Sequence, residues 1–98
     1  MSNTLLSIQI IPKTPNGEDS IPYVDRAIEV IQSSGVKYQV NALETTMEGD
    51  LDELLEIVKK MNAAVAEFGS NSIISQVKIV YNPEKGVSMD KLVEKYRP

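Results

Sequence analysis

The feature that most constrains the fold is the order in which strand-type and helix-type hydrophobic patterns follow one another along the chain. Residues 5–11 alternate apolar and polar side chains, as a strand with one buried face does. Residues 24–31 and 51–68 instead repeat apolar side chains at the spacing of a helix stripe. The strand pattern then recurs in three further segments, residues 36–42, 43–48 and 72–81. The sequence therefore predicts the element order βαββαβ.

Each of these segments has an apolar face to bury, and 98 residues suit one domain. The arrangement that buries them all is a four-stranded antiparallel sheet with both helices packed on one face. We therefore expect a single α+β domain over residues 1–98, a ferredoxin-like sandwich. Residues 88–98 are predicted to add a short polar C-terminal helix or arm.

The composition excludes many kinds of chemistry. The chain has no histidine and no cysteine, so it lacks the commonest proton shuttle, a thiolate nucleophile and zinc-thiolate ligands. Its acidic residues near position 50 lack the spacing of a calcium loop, so no metal is expected. A net charge of -4 argues against a nucleic-acid partner. The N-terminal sequence resembles neither a signal peptide nor a membrane span, which predicts a cytoplasmic protein without a membrane partner.

The second feature is the composition of the sheet face opposite the helices. If the helices cover Leu6, Ile8 and Ile10, the other face is polar but almost uncharged. Its predicted members are Ser7, Gln9, Gln39, Asn41, Ile74, Gln76 and, if the hairpin keeps its parity, Thr45. Amides and hydroxyls both donate and accept hydrogen bonds, so this face suits solvent, a polar heterocycle or another sheet.

The stretch "YQVNALETTMEGD" concentrates polar groups just before the second helix. Asp50 and Glu53 have the spacing of a capping box, and Gly49 would let the backbone turn sharply. Glu48 can be interpreted as an acid near a helix N-terminus or as a ligand acceptor, and spacing leaves both open. Tyr38 is typical of a core aromatic residue with its hydroxyl at the rim.

Four stretches together resemble the thiamine-binding protein family of small ferredoxin-like proteins, namely "SIQIIP", "KYQV", "TTMEGD" and "LDELLEIVKKMNAAVAEFG". The most specific element is Thr45 followed by Glu48 and Gly49 after the tyrosine strand. Ala42 stands where family members commonly have proline, a difference that concerns the shape of the hairpin.

The resemblance implies a non-catalytic protein that binds thiamine or its hydroxymethylpyrimidine moiety, as a carrier or sensor, with no other cofactor. It also implies a homodimer or homotetramer formed through the open sheet faces. An aminopyrimidine needs a hydroxyl or amide on one edge and an acceptor such as a carboxylate on the other. Thr45, Asn41 and Glu48 offer that set. The full set of predicted ligand-binding residues is Ser7, Gln9, Tyr38, Asn41, Thr45, Thr46 and Glu48.

Two alternative functions stay open at this point. One is an oligomeric structural or regulatory protein without a small ligand. The other is an enzyme that acts on a pyrimidine with Glu48 as general base, although a lone carboxylate is thin support for catalysis. A turnover assay, together with a search for a bound ultraviolet-absorbing heterocycle, separates these alternatives.

Overall fold

The computed structural model describes residues 2–98 and has the predicted βαββαβ order, followed by a third helix. The strands are β1 (Thr4–Lys13), β2 (Lys37–Val40), β3 (Thr45–Gly49) and β4 (Ser72–Tyr81). The helices are α1 (Ile21–Ser34), α2 (Leu51–Phe68) and α3 (Met89–Val93). Short 3-10 turns lie at Pro15–Gly17 and Glu94–Tyr96. The predicted C-terminal helix is thus present.

The four strands form one sheet in the order β2-β3-β1-β4. Every neighbouring pair is antiparallel. In this order the strands of the two βαβ halves alternate, with β1 and β3 in the centre, which confirms the ferredoxin-like fold. β2 and β4 are the two edge strands.

The core lies between one face of the sheet and the helices α1 and α2. Leu6, Ile8 and Ile10 point into it, as the alternation in β1 predicts. The helices contribute their apolar stripes, and β3 contributes one methionine; these buried residues are Tyr23, Ala27, Ile31, Met47, Leu54, Ile57, Met61 and Val65. Removing this apolar surface from water is the main stabilising term for a domain of this size.

The β2–β3 hairpin sets which side chains of β3 face the helices. Val40 pairs with Thr45 across the hairpin, and the Asn41 N–H donates to the Glu44 carbonyl at 2.9 Å. Directly opposed residues share a face, so Thr45 lies with Val40 on the helix side, where it is buried. The expectation that Thr45 lies on the open face is therefore wrong, and Thr46 lies there instead.

The start of α2 differs from the predicted capping box. The Asp50 side chain makes no capping hydrogen bond. The Leu51 N–H instead donates to Asn3 Oδ1 at 3.1 Å, so a residue just before β1 caps the helix. The capping-box prediction is therefore wrong, because a neighbouring segment provides the acceptor.

Gly49 also has a different role from the predicted one. Its backbone does not adopt a positive φ, so no sharp turn requires glycine there. A Cβ at this position would lie 2.9 Å from Glu53 Oε1 and 3.1 Å from Leu54 Cδ2. Glycine fits here because β3 and the first turn of α2 approach each other closely, and a Cβ would displace the Glu53 carboxylate and press on the buried Leu54 side chain.

Candidate functional site

The open face of the sheet gathers most of the polar residues that the sequence singled out. Ser7 is paired with Thr46 on β3, and Thr46 is paired with Gln39 on β2. One row away, Gln9 is paired with Gln76 on β4. The centre of this face therefore presents hydroxyls and amides side by side, with the charged Lys78 paired to Ser7 in the same row.

A pocket of about 290 Å³ opens where the β2–β3 hairpin meets α1. We call it the hairpin pocket. Its walls are largely apolar and include Ile8, Ile10, Val24, Ile28 and Val40. Asn41, Glu44 and Thr45 are polar residues of the same lining. The Asn41 Oδ1 accepts a hydrogen bond of 3.2 Å from Gln39 Nε2. An apolar cavity with a few convergent polar groups is typical of a small-molecule site.

A second pocket of about 350 Å³ lies on the open face and shares Gln9, Leu43 and Glu44 with the hairpin pocket. We call it the open-face pocket. Ser7, Gln76 and Lys78 also line it. The tip of the hairpin therefore separates two cavities, one on each side of the sheet.

Glu44 is the acidic group of this region, and sequence reasoning had considered it only for a cation site. It is exposed, and within residues 2–98 it makes no ion pair. In the lining of the hairpin pocket it is the one charged residue. The sequence feature that could have identified Glu44 as a site residue is its position in the hairpin turn, because turn residues project beyond the end of a sheet.

Glu48 lies away from the hairpin pocket, near the opposite end of β3. Its Oε1 accepts a hydrogen bond of 2.8 Å from the N–H of Met89, the first residue of α3. The structure therefore does not bring Glu48 together with Asn41 and Thr45. Glu48 is an acid at a helix N-terminus, but the helix is α3 rather than the adjacent α2.

Tyr38 is separated from the open-face residues by the sheet itself. It pairs with Met47, which is fully buried on the helix side. Tyr38 is partly exposed there, as expected for an aromatic residue at the rim of the core. Neither the hairpin pocket nor the open-face pocket includes it in its lining.

The C-terminal segment, residues 87–98, is held against β2 and β3 by charged groups. Asp90 forms ion pairs with Lys37 and, at 3.0 Å, with Arg97. The hydrogen bond from Lys37, followed by that from Arg97, lowers the pKa of Asp90 below its ordinary value. The hydrogen bond from Asp90 in turn raises the pKa of Lys37. Part of the open face near Glu48 is thereby covered by the chain itself.

Acidification is expected to loosen the C-terminal segment. Because the pKa of Asp90 is lowered in the folded state, its contribution is present above its ordinary pKa of 3.8 and is lost as the pH falls through the folded value. The pKa of Lys37 is raised in the folded state. The contribution of Lys37 to stability is therefore present below its ordinary pKa of 10.5 and is lost as the pH rises through the folded value. Residues 88–96 should therefore have lower amide protection factors, which correct for the intrinsic exchange rate at each pH, at pH 3 than at pH 7.

The Asp90→Asn variant is the control for this prediction. At pH 7 the variant should show lower amide protection of residues 88–96 than the wild type. High salt should have a similar but smaller effect on the wild type. Unchanged protection in Asp90→Asn would show that these ion pairs do not hold the segment.

Two properties of the wider molecule bear on the kinds of site it can hold. In the part of the chain that the structure describes, no three acidic side chains lie close enough together to hold a metal ion. Of the helices within residues 2–98, none is both long and apolar enough to cross a membrane.

The profile of one protein family, described as thiamine-binding protein, matches residues 6–97. The chain belongs to this thiamine-binding protein family. A UPF0045 protein of Clostridium perfringens is 50% identical over 99 residues, covering 99% of this chain and 100% of the relative.

Solved structures of similar proteins share the fold of this thiamine-binding family member. A domain of unknown function from Bacillus cereus has a TM-score of 0.92 and 43% identity, over 98% of this chain and 91% of that one. A Thermotoga maritima protein, described as a candidate thiamine biosynthesis or salvage protein, has a TM-score of 0.86 and 33% identity. That match covers 97% of this chain and 99% of the other.

Proposed function

We propose that this protein binds thiamine or its hydroxymethylpyrimidine moiety and releases it unchanged, as a carrier or sensor. Membership of the thiamine-binding protein family over residues 6–97 carries this proposal. The Thermotoga maritima relative, described in terms of thiamine biosynthesis or salvage, supports the same class of ligand.

The hairpin pocket is the site that we propose for the ligand. Its volume of about 290 Å³ lies just below the range of roughly 300 to 1,000 Å³ that is typical of small-molecule sites. An aminopyrimidine ring would contact the apolar walls, while Asn41 and Thr45 serve its ring nitrogens. Glu44 would accept a hydrogen bond from the exocyclic amino group, the role that the sequence had suggested for Glu48.

Charge favours the hairpin pocket over the open-face pocket. Thiamine carries a positive thiazolium ring, which is attracted by a carboxylate and repelled by an ammonium group. Glu44 is the one charged group lining the hairpin pocket, whereas the open-face pocket also contains Lys78. Thiamine should therefore enter on the helix side of the hairpin.

The composition of the hairpin pocket supports binding without catalysis. General acid–base catalysis and nucleophilic catalysis both need a second group that works with the first. Glu44 has no titratable partner in the lining of this pocket. We therefore propose that the ligand is held and released rather than transformed.

Calorimetric titration of the purified protein tests this function. Thiamine and hydroxymethylpyrimidine should each bind with a Kd of roughly 1 μM, corresponding to about 8 kcal/mol, whereas the isolated thiazole moiety should bind far more weakly. Chromatography of the mixture after prolonged incubation should recover the ligand unchanged. Absence of binding at millimolar ligand would refute the function, and conversion of the ligand would refute the non-catalytic part.

We also propose that copies of the chain associate through the uncovered part of the open face. Apart from Lys78, its central side chains are hydroxyls and amides, which cost less to desolvate than charged groups, and Ile11 and Ile74 form an exposed apolar end beyond them. Light scattering should report a mass of at least two chains of 10.8 kDa. Ile11→Lys should reduce that mass because it places like charges opposite each other, whereas Ile21→Lys on α1 should not. A wild-type mass of one chain would contradict the proposal.

A further inference from the structure

We infer that a pocket beside the C-terminal segment binds the phosphate group of a small organic phosphate ester. The pocket lies between the end of β4 and residues 82–92, and its volume is about 410 Å³. We call it the C-terminal pocket. This volume falls within the range of roughly 300 to 1,000 Å³ that is typical of small-molecule sites. The inference does not rest on the proposed function, because the C-terminal pocket shares no lining residue with the hairpin pocket.

The charged residues that line the C-terminal pocket are both basic, Lys85 and Lys91. Within residues 2–98 neither lysine makes an ion pair. This is the opposite of the hairpin pocket, whose charged residue is Glu44, and it occurs in a chain with a net charge of -4. Two ammonium groups at one pocket attract an anion and repel a cation such as thiamine.

The acidic residues close to these lysines in the sequence do not neutralise the pocket. Asp90 is engaged elsewhere, because its carboxylate forms ion pairs with Lys37 and Arg97. Glu84 and Glu94 are exposed, and neither belongs to the lining. The positive charge of the pocket is therefore available to a ligand.

The neutral polar side chains of the pocket have oxygens that already accept hydrogen bonds from the backbone. Asn82 Oδ1 accepts from the N–H of Lys85 at 3.2 Å. Ser88 Oγ accepts from the N–H of Lys91 at 3.3 Å. Within residues 2–98, the Asn82 amide nitrogen and the Ser88 hydroxyl donate to no other residue. Together with the ammonium groups, they give the pocket an excess of donors, which suits a ligand rich in acceptor oxygens.

The turn that carries Lys85 is held in place by backbone hydrogen bonds. The Gly86 N–H donates to the Asn82 carbonyl at 2.9 Å, and the Val87 N–H donates to the Ser2 carbonyl at 3.0 Å. Gly86 has a φ of 73°, a left-handed conformation that glycine adopts without steric cost. A ligand would therefore bind without the entropic cost of ordering this turn.

The remaining side chains of the pocket are apolar, namely Val80, Val87 and Leu92. Val80 is 50% exposed and Leu92 is 61% exposed. Inorganic phosphate would leave these side chains in water, whereas a ring or short chain attached to the phosphate would cover them. The pocket therefore favours an organic phosphate over the free ion.

The number of donors favours a phosphate ester over a carboxylate. A phosphate monoester carries nearly two negative charges at neutral pH and presents three strong acceptor oxygens. It can therefore interact with both lysines and with a neutral donor at the same time. A carboxylate has a single charge and two oxygens, so it would leave part of this donor set without a partner.

Titration of the isotopically labelled protein with phenyl phosphate tests the inference. At low and constant ionic strength near about pH 7.5, where the ester is mostly a dianion, the amide shifts of residues 82–92 should saturate. We expect a Kd of roughly 0.1 to 1 mM for a ligand of this size. Inorganic phosphate lacks the apolar body and benzoate lacks the second charge, so each should bind about 5-fold more weakly or worse.

Two results of this titration would overturn the inference. One is the absence of saturable shifts in residues 82–92 at about 20 mM phenyl phosphate, which is well above the expected Kd. The other is benzoate binding as tightly as phenyl phosphate, which would refute the assignment to a phosphate group.

Lysine variants test whether the pocket itself binds the ligand. Lys85→Met and Lys91→Met keep an apolar side chain but remove the charge, so each should weaken phenyl phosphate binding by about 5-fold. The double variant should weaken it further. Lys95→Met is the matched control, because it removes the same charge from an exposed residue of the C-terminal segment outside the lining. Equal weakening by Lys95→Met would indicate general charge attraction and would refute the site.

Leu92→Ser tests the apolar wall. It should weaken phenyl phosphate binding by about 3-fold and leave the affinity for inorganic phosphate unchanged. Loss of both affinities to the same extent would contradict the role assigned to the wall. Hydroxymethylpyrimidine is titrated separately, and its affinity should be the same in Lys85→Met and Lys91→Met as in the wild type. Failure of the proposed function would therefore leave this test unaffected.

Discussion

Glu44→Gln is expected to weaken binding of hydroxymethylpyrimidine by about 10- to 150-fold, which corresponds to about 1.5 to 3 kcal/mol. Glutamine keeps the size of the side chain but removes the charge that would face the amino group of the ligand or the thiazolium ring of thiamine. Glu44 is exposed and makes no ion pair within residues 2–98, so the free energy of unfolding should hardly change. Calorimetric titration and chemical denaturation of the same preparation measure both quantities.

Glu48→Gln is the matched control, because it makes the same chemical change near the other end of β3. It should leave ligand affinity unaltered and should instead weaken the capping of α3 at Met89. If Glu48→Gln lowered the affinity while Glu44→Gln did not, the ligand would bind near the C-terminal segment, and the hairpin pocket would be the wrong site.

Leu54→Ala is expected to lower the free energy of unfolding by about 2 to 5 kcal/mol. Leu54 is fully buried in the core, and its side chain also packs against Gly49. Alanine would leave a cavity that the close contact between β3 and α2 prevents from collapsing. Urea denaturation measures the change, and a loss of this size is a large fraction of the stability of a small domain.

Leu55→Ala makes the same substitution one residue further along α2, where leucine is 40% exposed. Leucine and alanine differ little in helix propensity, so this variant isolates the effect of burial. Leu55→Ala should lower the free energy of unfolding by much less than Leu54→Ala does. Equal costs in the two variants would show that the stripe of α2 is not packed as the structure describes.

The fold could be predicted from the sequence because each element carries its own pattern. The alternation of Leu6, Ile8 and Ile10 identifies both a strand and its buried face. The stripe of α2 ends at Gly69, and the antiparallel sheet follows from the number and order of these segments. These are local properties of the chain, and the structure confirms them.

The face of Thr45 could not be predicted because it depends on the register of a hairpin. The turn at Asn41–Glu44 pairs Val40 with Thr45, and a shift of one residue would exchange the faces of every residue in β3. Hydroxyl side chains at both Thr45 and Thr46 leave the sequence without a pattern that fixes this parity.

The partner of Glu48 was beyond prediction for a different reason. The contact between its carboxylate and the N–H of Met89 joins residues 41 positions apart in the sequence. It depends on how the C-terminal segment lies across the sheet, which also involves Lys37, Asp90 and Arg97. The spacing of residues within "TTMEGD" gives no indication of that contact.

Amide chemical shifts of the isotopically labelled protein, recorded during titration with hydroxymethylpyrimidine, test the central claim most directly. The account predicts that the largest shifts occur at Asn41, Glu44 and Thr45, around the hairpin pocket. The chemical shifts of the Met89 amide, whose N–H donates to Glu48, should not change. Shifts concentrated at Glu48 and Met89, with the hairpin unaffected, would contradict the account.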